Sequence, residues 1–283
     1  MTVVAIIGAT SGLGKSLSKY LIDKSYSVIL VSRSYSNEEN IDDNSGIYRN
    51  LKDFLTLDFE IPDYCINTAC CYGRDKESYL EIIDANIVNG LNIYKYCLDN
   101  SVGFINIGTV LERNMSPYAL TKNILQEILE HTDKNDLVFN LNLDLFFGPS
   151  LKKSNFIAQL ITNLAGSKVM ELTEGTQRRD FLHVDDVCSS IEYLLQNGKS
   201  LKKYGTNFIL STDRSVMVRE FILELRNQYE DLFGITNAKL EFGKKPLRSK
   251  EEEFQRACDL ERFGWHRMYN YKTAITDTLK NWW

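Results

Sequence analysis

The 283-residue chain carries 33 lysines and arginines and 38 aspartates and glutamates, so its net charge is −5. This mild acidity argues against a general nucleic-acid or anionic-membrane surface, and any cationic site must be a local pocket. With 43% hydrophobic residues the chain can bury one large core or two modest ones, while its apolar runs stay shorter than the ~18 residues of a membrane helix.

The first predicted elements are a buried strand over Thr2 to Ile7, a glycine-rich turn and a helix over Lys15 to Asp23. Because the strand starts at Thr2, we expect no signal peptide and a cytoplasmic protein. A strand, a glycine turn and a helix in this order aim helix N-terminal amides at a pyrophosphate, and a plain strand-to-helix turn is the alternative. The predicted cofactor contacts in the turn are Gly8, Thr10, Ser11, Gly12, Leu13 and Gly14.

A second buried strand is predicted over Tyr26 to Val31, and the residues after it bear on the choice of cofactor. A site for NAD would place an acidic residue here for the ribose 2′-hydroxyl. The chain has Ser32-Arg33-Ser34 instead, and a guanidinium with two hydroxyls suits the 2′-phosphate of NADP. Arg33 therefore favours NADP(H) over NAD(H), unless it is a solvated loop arginine. The polar residues 35–50 are predicted to form a loop.

A third strand is predicted over Phe54 to Leu57 and a fourth over Tyr64 to Asn67. The few residues between them cannot form a crossover helix, so one side of the sheet should be thinly covered here. Asp58, at the end of the third strand, is predicted either to accept a hydrogen bond from the adenine amine or to be a plain turn residue.

The chain then alternates between helices and strands. Helices are predicted over Ser78 to Leu98 and Met115 to His131, and strands over Val102 to Ile107 and Leu137 to Phe147. This alternation predicts an α/β fold with a parallel, doubly wound sheet of the Rossmann type.

After Pro149 the pattern becomes less regular. The predicted elements are helices at Asn155 to Ala165, Val184 to Gln196, Val218 to Leu232 and Tyr271 to Trp282, and strands near Lys168 to Leu172 and Asn207 to Leu210, the last returning to the main sheet. We predict a dinucleotide-binding domain over residues 1–150, rejoined by about residues 181–211, and a smaller lobe from residues 151–180 and 212–283. The lobe should lie across the C-terminal ends of the strands, the usual ligand-binding edge.

The segment Phe104 to Lys122 contains the residues that we predict to be catalytic. An apolar strand ends on Thr109, and a helix begins at Pro117 with Tyr118 and Lys122 on one face. An ammonium near a phenol lowers its pKa, and a hydroxyl at the strand end can hydrogen-bond the oxygen that receives the proton. The Tyr-x-x-x-Lys pattern occurs four times, and a chance match is the alternative, but only this pair follows a strand that ends in a hydroxyl residue.

Cysteine and histidine usage argues against a metal site. The six cysteines form no Cys-x-x-Cys pair, and the chain has only three histidines. The cysteines in apolar patterns, Cys65, Cys97 and Cys188, are predicted to be buried free thiols.

With the glycine turn, Thr109, Tyr118, Lys122 and the run RRDFLHVDD taken together, nearly the whole chain resembles extended short-chain dehydrogenase/reductases acting on nucleotide sugars, the NAD-dependent epimerase/dehydratase family. Within it, the run NTACCYGR at residues 67–74 and the spacing of Thr109 and Tyr118 most resemble CDP-paratose and CDP-abequose synthases. These are NADPH-dependent reductases of a CDP-4-keto-3,6-dideoxyhexose. The resemblance implies reduction of the 4-keto group of a nucleotide-linked deoxysugar, for surface-polysaccharide synthesis.

The same resemblance implies roles for individual residues. For the cofactor, it places Gly8, Gly12 and Gly14 at the pyrophosphate, Arg33 at the adenosine phosphate, Asp58 at the adenine, Asn67 and Ala69 alongside, and Lys122 at the nicotinamide ribose. For the substrate, it implies contacts from Tyr72, Arg74, Thr109 and Tyr118, and a pyrophosphate clamp from Arg179 and Arg248. The alternative for the clamp is a pair of surface arginines bound to Asp180 or to Glu251 to Glu253. Ser11 departs from the family pattern, which usually has a glycine there.

The resemblance also has implications for the oligomeric state and for the type of reaction. It implies a homodimer through the helices at residues 78–98 and 116–131, although those apolar faces could be buried within one subunit. Sugar 4,6-dehydratases carry an acidic pair after the catalytic threonine, and Val110-Leu111 in that place argues against dehydration. A 4-epimerase with tightly held NAD is the first alternative, and a redox-silent dinucleotide-binding regulator is the second.

Overall fold

The computed structural model describes residues 1–32, 47–56, 60–132, 137–151, 156–211, 215–246 and 259–283. Arg33, Asp58 and Arg248, which have predicted ligand contacts, lie outside these residues. Up to Leu143 the elements are β1 Val3–Ile7, α1 Gly12–Asp23, β2 Ser27–Ser32, β3 Ile47–Asn50, α2 Leu51–Thr56, β4 Tyr64–Asn67, α3 Tyr79–Ile83, α4 Asn89–Asn100, β5 Gly103–Thr109, α5 Pro117–Thr132 and β6 Val138–Leu143. From Leu145 they are β7 Leu145–Phe147, α6 Phe156–Ala165, β8 Val169–Glu171, β9 Arg178–Arg179, β10 Phe181–His183, α7 Val184–Leu201, β11 Asn207–Leu210, β12 Val216–Met217, α8 Val218–Phe233, β13 Lys239–Glu241 and α9 Tyr271–Lys280.

The main sheet has seven strands within the described residues, in the order β11-β6-β5-β4-β1-β2-β3. Neighbouring strands from β3 to β6 pair in parallel, which confirms the predicted doubly wound sheet of the Rossmann type. Strand β11 returns to the main sheet, as predicted, and lies beside β6, where the amide of Asn140 donates to the carbonyl oxygen of Thr206 at 2.7 Å.

Two compact units divide the chain. The first comprises Met1–Leu143 and Cys188–Ile209, and its core includes Phe104 on β5 and Leu125 on α5, both fully buried. The second comprises Asp144–Val187 and Leu210–Trp283, so it starts a few residues before the predicted boundary. Its core is built around the stacked rings of Phe181 and Phe221, whose centroids lie 3.7 Å apart. In the described ranges, no helix has the length and apolar character that crossing a membrane requires.

The third strand and the helix after it differ from the prediction. Strand β3 lies in the stretch predicted to be a loop, and the residues predicted as the third strand belong mostly to helix α2. Leu51, Phe54 and Leu55 follow the i, i+3, i+4 spacing of one helical face, and they pack into the core of the first unit. The connection from β3 to β4 therefore contains a short helix. The four-residue stretch Phe54 to Leu57, three of whose residues are apolar, was mistaken for a strand because it is too short to show its period.

The helix predicted over Ser78 to Leu98 is interrupted. It begins with a capping box in which Ser78 accepts from the amide of Glu81, and a π-helical turn at Asp84–Val88 separates α3 from α4. Such a turn holds an extra residue and shifts the faces of the helix that follows. Leu80, on α3 before this turn, is 77% exposed. The two parts of the predicted helix differ in burial, since Tyr94 on α4 is only 4% exposed.

The strand predicted over Leu137 to Phe147 is two strands in different sheets. Strand β6 belongs to the main sheet, whereas β7 pairs in parallel with β10 in the second unit. Asp144 separates them, and its Oδ2 accepts a hydrogen bond from the amide of Asp180 at 3.1 Å. An almost continuous apolar run does not reveal a change of sheet, because both strands are buried.

Candidate active site

The glycine turn after β1 is shaped by close backbone packing. Gly8 has φ +85°, and a Cβ placed on it would lie 2.7 Å from the amide nitrogen of Ala69. A Cβ on Gly14 would overlap the carbonyl oxygen of Gly8. These two glycines therefore let α1 begin directly against the ends of β1 and β4.

The first turn of α1 offers free amide donors. The Ser11 side chain accepts from the amide of Gly14 at 3.0 Å, and the Ser11 carbonyl accepts from Lys15 at 2.9 Å. Among the described residues, the amides of Gly12 and Leu13 have no acceptor. With the positive end of the helix dipole behind them, they suit the phosphates of a dinucleotide.

Hydroxyl side chains link the strand ends around this turn. Thr10 Oγ1 lies 3.1 Å from Ser32 Oγ at the end of β2, and Ser11 Oγ lies 3.4 Å from Thr68 Oγ1 after β4. Thr68 also donates to the carbonyl oxygen of Ile7 at 2.9 Å. The sequence analysis did not single out Ser32 or Thr68 as contributors to this turn, because their roles depend on contacts between distant strand ends.

Thr109, Tyr118 and Lys122 come together as the last residue of β5 and the first turns of α5. Pro117 starts α5, and Ser116 caps it by accepting from the amide of Ala119 at 3.1 Å. Tyr118 is half-buried and hydrogen-bonded to Thr109, and Lys122 is only 3% exposed. No described residue provides the Lys122 ammonium with a hydrogen-bond acceptor or an ion-pair partner.

The electrostatics of this cluster differ from the expectation that Lys122 lowers the pKa of Tyr118. Burial is the largest influence and raises the pKa of Tyr118, and Cys70 adds to it. The hydrogen bond from Thr109 and the charge of Arg74 act in the opposite direction. Burial also lowers the pKa of Lys122. A tyrosine with a raised pKa keeps its proton at neutral pH, which suits a general acid.

The loop after β4 lies against the tyrosine. The ring of Tyr72 is centred 4.8 Å from the ring of Tyr118, and the guanidinium of Arg74 lies 4.7 Å from the centre of the Tyr72 ring. Cys70 also acts on both tyrosines, since it raises the pKa of each. The predicted substrate residues Tyr72 and Arg74 are therefore neighbours of Tyr118, and Cys70 is a neighbour that the sequence analysis did not single out.

Asn86 holds this loop to the catalytic helix. Its side chain accepts from the amide of Cys71 at 2.7 Å and donates to the Cys71 carbonyl oxygen at 2.9 Å. It also lies 2.9 Å from Thr121 Oγ1 on α5. Asn86 sits in the π-helical turn and is 1% exposed. An asparagine inside an apolar helical pattern was the one sequence signal for this role.

A row of buried amides crosses the central strands. Asn67, Asn106 and Asn140 are neighbours in register on β4, β5 and β6. Asn67 donates to Asn106 at 3.1 Å, and Asn106 donates to Asn140 at 3.0 Å. Each is at most 2% exposed. The predicted cofactor residue Asn67 thus ends a hydrogen-bonded row, and its own Oδ1 is buried with no hydrogen-bond partner among the described residues.

In the second unit, the two arginines of β9 have different partners. Arg178 Nε donates to Ser215 Oγ at 3.0 Å, and the same guanidinium contacts the Ser215 carbonyl oxygen. Arg179 donates to the carbonyl oxygen of Arg178 at 2.9 Å, and its charge lowers the pKa of Asp144. Arg178 is therefore bound by the protein itself, and Arg179 lies in the field of a carboxyl group.

The run RRDFLHVDD ends on a buried carboxyl. Asp186 is 2% exposed and accepts from the amides of Met268 at 2.6 Å and Tyr269 at 3.3 Å. Burial nevertheless raises its pKa to about 6, with Asp185 adding to the rise and Arg267 opposing it. This aspartate ties the start of α7 to the segment before α9.

Two features of the first unit fit a dinucleotide cofactor. The unbonded amides of Gly12 and Leu13 could receive phosphate oxygens. The buried ammonium of Lys122, which has no partner among the described residues, could receive ribose hydroxyls. The described ranges contain no group of three or more histidine, cysteine, aspartate or glutamate side chains that could hold a metal ion.

Comparison with known proteins agrees with this arrangement. A family model described as the NAD dependent epimerase/dehydratase family matches residues 4–208. The CDP-abequose synthase of Salmonella typhimurium is 27% identical over 98% of this chain and 97% of its own length. The CDP-abequose synthase of Yersinia pseudotuberculosis is 25% identical over 69% of this chain and 73% of its own length.

Solved structures show the same fold. The structure of MoeE5 in complex with UDP-glucose and NAD has a TM-score of 0.77 at 18% identity, and the match covers 98% of this chain and 97% of MoeE5. A UDP-galactose 4-epimerase has a TM-score of 0.77 at 15% identity, covering 99% of this chain and 98% of its own.

Proposed function

The chain belongs to the NAD dependent epimerase/dehydratase family, as its motifs predicted, and from this premise we propose that it is an NADPH-dependent 4-ketoreductase of a nucleotide-linked deoxysugar. The proposed substrate is a CDP-4-keto-3,6-dideoxyglucose, with CDP-abequose or CDP-paratose as the product. The observation that carries the proposal is the hydrogen bond of Tyr118 with Thr109 one helical turn from the buried Lys122. The relatives named CDP-abequose synthase support the choice of substrate.

Tyr118 is the proposed general acid. It donates its proton to the C4 oxygen of the sugar as that oxygen gains charge, and Thr109 donates a hydrogen bond to the same oxygen. Burial favours the protonated phenol before the reaction, while the charge of Arg74 lowers the cost of the phenolate afterwards. NADPH, when bound, supplies the hydride. A positioned acid of this kind contributes about 10²–10⁴ in rate.

Lys122 is the proposed anchor for the cofactor ribose. Its ammonium is buried and has no acceptor among the described residues, so ribose hydroxyls would satisfy it. Asn67 and Ala69, at the end of β4, are proposed to line the cofactor. Gly12 and Leu13 would donate their amides to its phosphates.

The preference for NADPH rests on Arg33, which lies outside the described residues. A charge-assisted bond to the 2′-phosphate is worth about 1.5–3 kcal/mol, or roughly ten- to a hundredfold in preference over NADH. We expect Arg33→Ala to lose that factor in kcat/KM for NADPH and to leave kcat/KM for NADH unchanged. A wild-type enzyme that uses NADH as well as NADPH would remove this part of the proposal.

Four further residues are proposed to contact the substrate. The ring of Tyr72 packs on Tyr118 and the guanidinium of Arg74 packs on Tyr72, and both residues are proposed to contact the sugar. Arg179, and Arg248 outside the described residues, are proposed to bind the diphosphate, because guanidinium groups pair with phosphate oxygens in a bidentate manner.

The deciding experiment is a substrate panel. The protein would be incubated with NADPH and CDP-, dTDP- or GDP-linked 4-keto-deoxysugars, and NADPH oxidation followed by absorbance. The proposal expects stoichiometric oxidation with a CDP-linked substrate and a 4-hydroxy product. Interconversion of 4-hydroxy sugars without net NADPH oxidation, by protein purified with bound NAD, would identify a 4-epimerase instead.

We also propose that the chain acts in the cytoplasm as a homodimer through α3, α4 and α5. Tyr79 and Leu80 are 72% and 77% exposed, and Leu120 on α5 is 40% exposed. Exposed apolar side chains of this size on adjoining helices suit burial against a second copy. The mass in solution by light scattering would show one chain or two.

A further inference from the structure

The loop that carries Tyr72 and Arg74 is closed by the side chain of Glu77, which has no part in the proposed reaction. The thiol of Cys71 donates to Oε1 of Glu77 at 3.4 Å, and the amide of Asp75 donates to Oε2 at 2.7 Å. One carboxylate therefore joins the two ends of the loop, Cys71 and Glu77, and also binds a point between them.

The two ends of this loop are attached to the rest of the first unit. Asn86 binds the amide and the carbonyl oxygen of Cys71, and it contacts α5 through a further side-chain hydrogen bond. At the other end, Glu77 is followed directly by Ser78, which caps α3. Residues 72–76 between these ends are exposed to solvent. The carboxylate of Glu77 thus connects two anchored positions across an exposed segment.

The backbone of the loop has a conformation that its surroundings must impose. Lys76 has φ +68°, in the left-handed region that residues other than glycine rarely adopt. Such a conformation persists only where neighbouring contacts hold it. The hydrogen bond from the amide of Asp75 to the side chain of Glu77 spans Lys76. The carboxylate therefore supports the turn at the end of the loop as well as its closure.

The side chains that the closed loop presents are those proposed to contact the sugar. The ring of Tyr72 is centred 4.8 Å from the ring of Tyr118, and the guanidinium of Arg74 lies 4.7 Å from the centre of the Tyr72 ring. Tyr72 and Arg74 are each next in sequence to a residue that donates to Glu77. Loss of the carboxylate would therefore loosen the backbone beside both of them.

We propose that Glu77 is a positioning residue for the nucleotide-sugar substrate, because its carboxylate keeps Tyr72 and Arg74 in place before the substrate binds. This inference rests on the proposed function, since it takes these two residues as contacts of the sugar. A loop that is already ordered loses less conformational freedom on binding, so the closure strengthens substrate binding. Because the loop is ordered in the bound state with or without Glu77, the effect falls on KM rather than on kcat.

The first test compares two substitutions of the same residue. Glu77→Ala removes both acceptor oxygens, whereas Glu77→Gln keeps one oxygen that can accept from the amide of Asp75. KM for the CDP-linked 4-keto sugar should rise by about tenfold in Glu77→Ala and by less in Glu77→Gln. In both variants kcat should stay within about twofold of the wild type, and the Kd for NADPH should not change. Equal KM values in all three proteins, or a loss confined to kcat, would overturn the inference.

Glu81→Ala is the matched control, because Glu81 is a second carboxylate close in sequence to the loop. It accepts from the amide and the hydroxyl of Ser78 at 2.7 and 2.8 Å, so these hydrogen bonds lie in the capping box of α3 rather than in the loop. KM should stay near the wild-type value. A rise as large as that in Glu77→Ala would mean that the start of α3, and not closure of the loop, determines KM.

The second test examines the closure without substrate turnover. Burial is the largest influence that raises the pKa of the Cys71 thiol, and the carboxylate of Glu77 adds to the rise. Opening the loop and removing the carboxylate should therefore make this thiol more reactive. Alkylation of Cys71 by iodoacetamide, located by mass spectrometry of peptides, should be several-fold faster in Glu77→Ala than in the wild type or in Glu81→Ala. An equal rate in the three proteins would show that Glu77 does not hold Cys71.

Turnover by the wild type separates this inference from the proposed function. If the wild type reduces a CDP-linked 4-keto sugar and Glu77→Ala has the same KM, the role of Glu77 is refuted and the proposed function stands. If the wild type reduces no 4-keto sugar of the panel, the proposed function is wrong and the role of Glu77 in substrate binding falls with it, whatever the alkylation rates show about the loop.

Discussion

The two clusters of polar side chains described above, one in each unit, differ in whether their charged groups have partners within the protein. In the first unit, Lys122 is buried one turn after Tyr118, and among the described residues nothing pairs with its ammonium. In the second unit, Arg178 is bound to Ser215, and Arg179 donates to the carbonyl oxygen of Arg178. The first cluster therefore leaves a buried charge that a ligand could satisfy, whereas the arginines of the second have partners within the protein.

The difference has an energetic meaning. A buried charge without a partner costs stability, and burial accordingly lowers the pKa of Lys122. Proteins retain such groups where a ligand supplies the missing partner, so they mark functional sites. Arginines with internal partners cost less in the free protein, but part of the binding energy of a ligand would then be spent on displacing those partners.

The largest expected effect tests the chemistry of the first cluster. Tyr118→Phe should lower kcat by about 10²–10⁴, because the proton donor is lost while the ring packing on Tyr72 is kept. NADPH binding, followed by fluorescence, should persist. Tyr20→Phe is the matched control, since Tyr20 begins another Tyr-x-x-x-Lys pattern in the same unit and donates to Glu192 at 2.8 Å instead. Near-normal turnover by Tyr118→Phe would rule out the assignment.

A second prediction addresses the unpaired ammonium itself. Lys122→Met should weaken NADPH binding by roughly ten- to a hundredfold, because a hydrogen-bonded charge at the ribose is lost. The same variant should raise the free energy of unfolding by about 1 kcal/mol in the absence of cofactor, since methionine has a side chain of similar length but no charge to bury. Calorimetric binding and denaturant unfolding measure the two effects. If the variant is instead less stable than the wild type without cofactor, Lys122 has a partner within the protein. The difference drawn here between the two clusters would then be wrong.

The smallest expected effect concerns the buried carboxyl of Asp186 in the second unit. The pKa of Asp186 is raised to about 6, above its value in the unfolded chain, so the folded state binds the proton more tightly. Stability should then fall as the pH rises through that value, by about 1 kcal/mol between about pH 5 and about pH 7 from this group alone. The free energy of unfolding of Asp186→Asn should vary less with pH than that of the wild type, by about 1 kcal/mol over the same range. Denaturant unfolding at several pH values checks it, and a wild-type profile no steeper than that of the variant would contradict the raised pKa.

Local sequence patterns were sufficient for the parts of this molecule that depend on neighbours in the chain. The turn from Gly8 to Gly14 needs small residues where α1 meets the sheet, and the strand ending on Thr109 was visible as an apolar run. The spacing of Tyr118 and Lys122 places both on one face of a helix whatever the rest of the fold does. The family and the doubly wound sheet followed from these motifs and from the alternation of strands and helices.

Tertiary structure alone decided the features that join distant segments. Strand β3 was missed because its pairing with β2, rather than its own composition, makes it a strand. The loop carrying Tyr72 reaches Tyr118 through Asn86, and Asp144 meets the amide of Asp180 only because β7 and β10 pair. Burial likewise reversed the expected direction of the pKa shift of Tyr118. A chain encodes turns and helical faces over a few residues, but desolvation and contacts between remote strands arise only when the whole fold excludes water around them.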